Sequence, residues 1–319
     1  MNADTFFSAV RLAVAAAMTL GFVGGASAFD LTVSRCVVGD PPPIVTTMDE
    51  TVVAATGDGE WEQVVVELVN QERWDNGQLP PLKRVELLDS AAGLHSFNMA
   101  DRDFMAHCDP DTLTSPWDRM NDAGYDFSAA AENIAAGYSS PASVMAGWMS
   151  SSGHRANILS TGLWEIGVGY TLQSGDAGNV RRDLNGDCVS DSFNNGPYAH
   201  YWTQNFGRRS GVYPVVINRE AASTESNDVD LYLYGGGGID EMRIRNDGEG
   251  WTAWQAFTSN VAWQLSDGPG VKQVFVEVRA GSSVFAASDS IISTALSEGE
   301  IFLDAFESGD VSAWSLSVP

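Results

Sequence analysis

Residues 140–172 read SPASVMAGWMSSSGHRANILSTGLWEIGVGYTL, and the change of period inside this stretch sets the fold class. Ser140 followed by Pro141 is a capping residue with proline in the first turn, so a helix starts here. From Ile166 to Leu172 apolar residues alternate instead, as in a strand. Upstream the chain is helical. Trp61, Val64, Val65, Leu68 and Val69 fall at helical spacing between Glu60 and Gln71, and Asp75-Asn76-Gly77 supplies a stop. Leu88, Ala91, Ala92, His95 and Met99 repeat the pattern between Leu87 and Phe104, and Ser115-Pro116-Trp117-Asp118 starts another helix. Tyr198 to Phe206 reads as a second strand after a polar excursion. Helices first and strands after predict an α+β domain with helices packed on a sheet.

Beyond Gly207 only alternation remains. Val229, Leu231 and Leu233, then Met242 and Ile244, then Val274, Val276 and Val278 mark strands divided by turns such as Gly235 to Gly238. A small all-β, immunoglobulin-like domain over 208–293 is the expectation. The expected organisation is a signal peptide at 1–28, an extended lead-in at 29–59, the α+β domain at 60–207, the β-domain at 208–293 and an acidic tail at 294–319. The signal reading rests on the apolar run Leu12 to Val23 and on Ala26-Ser27-Ala28 before Phe29. That run is shorter than the roughly 20 residues that cross a bilayer, so cleavage after Ala28, secretion and a mature chain without a transmembrane helix are expected. Tail residues 304–315 resemble a short element near the ends of many bacterial secreted proteins; a disordered acidic end is one expectation, and docking on the β-domain or recognition by a sorting partner the alternative.

The 319 residues carry 42 acidic against 17 basic side chains, a formal charge of −25. A surface that acidic repels phosphate, so nucleic acid is excluded as a partner class. Cys36, Cys108 and Cys188 allow at most one internal disulfide, with the pairing open. No G-x-S-x-G element points to a serine hydrolase.

An ordered set of motifs carries a family resemblance. Leu68 to Arg73, His95-Ser96-Phe97-Asn98-Met99, Phe104-Met105-Ala106-His107, Glu132-Asn133-Ile134-Ala135, Trp148-Met149, Ser152 to Leu159, Glu165 to Gly169 and Tyr201 to Gly207 together resemble the bacterial branch of the CAP (SCP) superfamily. That superfamily unites cysteine-rich secretory, antigen 5 and pathogenesis-related proteins. The resemblance implies an α-β-α sandwich with a cleft holding two histidines and two acids, which fall on His107, Glu132, His154 and Glu165. The eukaryotic pattern has its second acid before the second histidine, where this chain has Ser150-Ser151-Ser152, so Glu165 takes the bacterial position.

Neutral imidazoles at His107 and His154 suit a zinc-like ion, and a nearby carboxylate either ligates it or orients its water. The competing reading is a hydrogen-bonded network joining helices to sheet, with Glu132-Asn133 in a turn. His95 is expected on a helix face near Met99, His200 at the surface or in packing, and Cys108 buried or disulfide-bonded rather than nucleophilic. A second site is expected in the loop 183–194, where Asp183, Asn185, Asp187 and Asp191 match calcium-loop spacing, the competing reading being an acidic, solvated loop insertion between two strands. Cys188 stands at its usual turn-glycine position and Asn194 at its usual bidentate acid, so an affinity on the order of 10⁻⁴ M is expected. The functional expectation is a secreted, non-enzymatic protein whose cleft binds a divalent metal or a small-molecule or lipid-like ligand, lipid being implied by the resemblance alone. A metal-assisted, peptidase-like hydrolase with Glu132 or Glu165 as base is one alternative, and a cell-envelope adhesion module the other.

Overall fold

The computed structural model describes residues 59–295. The signal segment with its Ala28 cleavage site, the lead-in through Asp58 with Cys36, and the tail from Leu296 lie outside the described residues.

In the first half of the described chain five helices surround one sheet. The helices are α1 (Gly59–Asp75), α2 (Glu86–Asp101), α3 (Pro116–Asp122), α4 (Pro141–Ser150) and α5 (Ser152–Ile158). The strands are β1 (Lys83–Arg84), β2 (Phe104–Met105), β3 (Ala129–Ala136), β4 (Glu165–Leu172), β5 (Val180–Arg182), β6 (Ser192–Asn195) and β7 (His200–Arg208). β1, β4, β7 and β3 lie side by side in that order, and β2, β5 and β6 form a small second sheet. The two Ser-Pro starts are both full capping boxes, Ser115 with Asp118 and Ser140 with Ser143, so each first turn has its free N–H groups satisfied.

Alternation along β4 and β7 sorts side chains to two faces. Ile166, Val168, Trp202 and Phe206 meet Val65, Val66 and Val69 of α1 with Val144, Met145 and Trp148 of α4, an apolar layer closed to solvent. On the other face α2 lies almost on the sheet backbone. A Cβ added to Gly167 or Gly169 would come within 2.1 Å of the Leu88 carbonyl carbon or 2.3 Å of that of Ala92. Only glycine permits that approach. Ser96 Oγ donates to the Gly169 carbonyl at 2.9 Å and fixes the register of helix on strand. The α-β-α layering implied by the resemblance is therefore present.

The second half is β-rich. Its strands are β8 (Val215–Ile217), β9 (Ser223–Thr224), β10 (Asp228–Leu233), β11 (Glu241–Asn246), β12 (Gln255–Ala256), β13 (Asn260–Gln264), β14 (Gly270–Ala280) and β15 (Ser283–Ser293). They form a three-stranded sheet, β13-β10-β8, and a five-stranded sheet, β12-β11-β14-β15-β9, antiparallel except where β9 pairs with β15. Leu231 and Leu233 of one sheet and Ile244, Val274, Val276 and Val278 of the other share a single buried core.

Polar contacts join the halves. Asn70 Nδ2 donates to the Arg219 carbonyl at 2.9 Å and Gln63 Nε2 to that of Glu220 at 2.7 Å. Lys83 Nζ bridges the carboxylates of Glu220, at 2.6 Å, and Asp289.

Candidate ligand cleft

β2 and β3 bring the two central residues of the cleft together. Glu132 stands in the middle of β3, in strand and not in a turn, opposite Asn205 of β7. His107 follows β2, and its Nδ1 lies 2.8 Å from Glu132 Oε1, so Nδ1 carries the proton and donates to the carboxylate. The other oxygen, Oε2, accepts from Arg119 of α3 at 2.7 Å. Arg119 also donates to the carbonyls of His107, at 2.9 Å, and Thr114, at 3.0 Å, so one guanidinium holds both the acid and the backbone beside the imidazole. The Asn205 amide, in the orientation that satisfies both its ends, adds a donor to Oε2 at 3.1 Å.

The side chain of Glu132 is 1% exposed and that of His107 51%. Burial works against an ionised Glu132, but attraction to His95, the His107 hydrogen bond and Arg119 outweigh it and hold the carboxyl below its ordinary value. His95 lies beneath, fully buried, donating from Nε2 to the Ala106 carbonyl at 2.9 Å. Burial pushes its imidazole down to about 4, so it is neutral at pH 7 and supports the segment carrying His107.

His154, on α5, stands across the opening. Its ring has no hydrogen-bond partner among the described residues, and burial, then the nearby His107, lower its pKa. Its helix is tied to β3 by amides: Asn133 Nδ2 donates to the His154 carbonyl at 3.2 Å, and Asn157 Nδ2 to Asn133 Oδ1 at 2.9 Å. These bonds tie α5 to β3 beside Glu132.

A cavity of about 790 Å³ is lined by His107, Glu132, His154, Trp117, Arg182 and Cys188 among others. One wall is the loop following β5, fastened by a Cys108–Cys188 disulfide to the residue next to His107. The expectation that Cys108 is buried or disulfide-bonded holds, and the pairing left open by the sequence is now defined. A second cavity, about 400 Å³, adjoins the first and shares Met105, Ile134, His154 and Arg182 with it.

Glu165 is not brought into this cleft. It sits at the start of β4 opposite Gly207, accepts from Tyr125 Oη at 2.7 Å and pairs with Arg209 at 2.5 Å, away from the cavity lining. The sequence motif located the acid but not its counter-ion, because Arg209 lies beyond the motif and Tyr125 reaches it from a distant loop. Arg119, Asn205 and Arg182 were the residues missed. Only the capped start of α3 hinted that Arg119 had a fixed place. His200 packs instead beside Trp61 and accepts from or donates to Tyr170 Oη at 2.9 Å.

In the 183–194 loop the expected calcium ligands turn toward the loop's own backbone. Asp183 accepts from the N–H groups of Asn185, Gly186 and Cys188 at 3.1, 2.7 and 2.9 Å, and Asp191 accepts from Leu184 at 3.0 Å. Cys188 has φ +66°, the left-handed turn for which glycine is usual at that position. Among the described residues no three His, Cys, Asp or Glu side chains converge as a metal-holding group.

Residues 66–206 match the Cysteine-rich secretory protein (CAP) family. The chain therefore carries a CAP domain, bounded by α1 at one end and β7 at the other. It is similar to the uncharacterized protein YkwD of Bacillus subtilis, 40% identical over 134 residues that make up 42% of this chain and 51% of that one. It is also similar to the uncharacterized membrane protein YlbC of the same organism, 29% identical over 122 residues, 36% of this chain and 35% of that one. The match thus spans about half, or less, of these relatives. Among solved structures, an extracellular SCP-domain protein from Bacillus anthracis is similar at 29% identity over 48% of this chain and 41% of that one, with a TM-score of 0.37.

Proposed function

We propose that this is a secreted CAP-domain protein whose His107/Glu132/His154 cleft binds a ligand without turning it over. One observation carries the reading: both oxygens of Glu132 are committed, to His107 and to Arg119, in a side chain closed to solvent. A general base must reach a substrate or its water. Glu132 instead orients His107, and Glu165, bound by Arg209 and Tyr125, stands outside the cavity. Secretion is supported by the N-terminal apolar segment and by the Cys108–Cys188 bond, which suits an oxidising compartment.

Two imidazoles, His107 and His154, would be the cleft's donors to a divalent ion such as Zn²⁺, short of the three or four protein ligands of a complete site. A carboxylate behind a metal-binding histidine is the arrangement that fixes its tautomer, and Glu132 occupies that position toward His107. When bound, such an ion supplies a Lewis acid to a ligand in the cleft. Calcium in the 183–194 loop is a second proposal for this chain, supported by the left-handed Cys188 that gives the loop its expected turn. The β-rich half, with two sheets around one core, suits an immunoglobulin-like attachment module.

Calorimetric titration of zinc into the full chain tests the cleft. Stoichiometric uptake lost in a His107→Ala/His154→Ala variant supports it. Peptide turnover that vanishes with chelator and with His154→Ala would replace binding by metal-assisted hydrolysis.

A further inference from the structure

Among the described residues Arg182 is the one arginine whose side chain makes no hydrogen bond, ion pair or ring contact. In a chain with 42 acids and 17 bases, a guanidinium with no partner of any kind is unexpected. Every other described arginine has one or more partners, such as Asp89 for Arg84, Asp109 for Arg102, Asn76 for Arg155, Asp111 for Arg181 and the Trp164 ring for Arg208. The Arg182 Nε is also buried without an acceptor. A buried donor left unsatisfied is costly, and more so on a charged group.

The position of Arg182 is fixed from both sides. It pairs with Met105 of β2 and Ser192 of β6, and its carbonyl accepts from Asp191 N at 2.8 Å. It lines the histidine cavity and the adjoining 400 Å³ cavity together with His154, so it stands where the two meet. The smaller cavity is walled by Met105, Ile134, Tyr138, Trp148 and Tyr198. A fixed cation at the mouth of an apolar annex is complementary to an anion joined to an apolar body. A guanidinium presents paired N–H groups that match a carboxylate in a bidentate contact. Glu132 and Asp183 line the same cavity, so a dianion such as phosphate is repelled by their like charge more than a monoanion is.

We infer that the junction of the two cavities is a carboxylate subsite, in which Arg182 anchors a monoanionic ligand whose apolar part fills the Tyr138/Trp148 annex. The inference rests on the cleft being a ligand site and adds the class of ligand. Its chemistry fits either the C-terminus of a peptide ending in an apolar residue or a small free aryl or alkyl acid.

The test titrates the full-length chain by calorimetry with N-acetyl-L-phenylalanine, with N-acetyl-L-phenylalanine amide and with 4-phenylbutyrate, in parallel with Arg182→Gln. A charge-assisted contact worth about 1.5–3 kcal/mol corresponds to roughly 10- to 100-fold in affinity. The acid is therefore expected to bind the parent chain at least about tenfold more tightly than the amide, and Arg182→Gln to remove that preference. A thermal melt confirms that the variant is folded, and the comparison of acid with amide on the parent chain needs no variant. Preference for N-acetyl-L-phenylalanine over 4-phenylbutyrate identifies a peptide end, and the reverse a free acid. Equal binding of acid and amide, or undiminished acid binding by Arg182→Gln, overturns the carboxylate subsite while leaving the cleft a ligand site. Binding of none of the three probes also overturns it, and zinc uptake at His107 and His154 then judges the cleft separately.

Discussion

Glu132 is held by a hydrogen bond from His107 and an ion pair with Arg119, and the two donors are not equivalent. The His107 side chain is half exposed, whereas Arg119 and Glu132 are both nearly closed to solvent at 2% and 1%. Removing one partner of a buried pair strands the other's charge, at a cost of about 3–5 kcal/mol. Arg119→Ala is therefore expected to lower stability by that amount in urea denaturation, while His107→Ala changes it far less. Equal effects would mean that Arg119 does not anchor the carboxylate. At this scale the family resemblance named His107, Glu132 and His154, and with them Glu165, which lies outside the cavity lining. It did not name Arg119, whose role depends on where a seven-residue helix is set down.

Among elements, those with strong local signals were legible. The capped helices α3 and α4, the periodic α1 and α2, and β4 all lie within a few residues of where spacing puts them. β3 was not legible: Ala-Ala-Ala-Glu-Asn-Ile-Ala-Ala has little strand propensity, and it becomes a strand because eight of its residues pair with β7. The loop between β5 and β6 is another element whose place comes from outside itself. The Cys108–Cys188 bond spans 80 residues and fastens that loop beside His107. Removing a native disulfide that closes a loop this long costs about 2–5 kcal/mol. Cys108→Ser/Cys188→Ser is expected to show that loss in denaturant unfolding compared with the oxidised parent. No change would mean that the loop is held by its own hydrogen bonds.

For the molecule as a whole, the joint between the CAP domain and the β-rich half contains two carboxylates and one lysine. Burial, then repulsion from Asp289, against the attraction of Lys83, pushes the Glu220 carboxyl up to about 8. A folded value above the unfolded one means that folding takes up a proton between about pH 4.5 and 8, so this group's contribution to stability falls as pH rises through that window. His95, lowered to about 4, acts in the opposite sense below its unfolded value of 6.5. The two oppose each other in acid, and from pH 6.5 to 8 the Glu220 loss stands alone of the two. Melting temperature is accordingly expected to fall over that interval in the parent chain and to stay nearly level in Glu220→Gln; parallel falls would remove Glu220 as the cause. The central claim is that His107 and His154 form the ligand-binding pair of the cleft. The chain has four histidines, so the most direct measurement follows all the imidazole nitrogens by NMR as zinc is added to the full-length protein. The account predicts that His107 and His154 shift together while His95 and His200 stay in place. Zinc-induced shifts at His200, or none at His107 and His154, would contradict it.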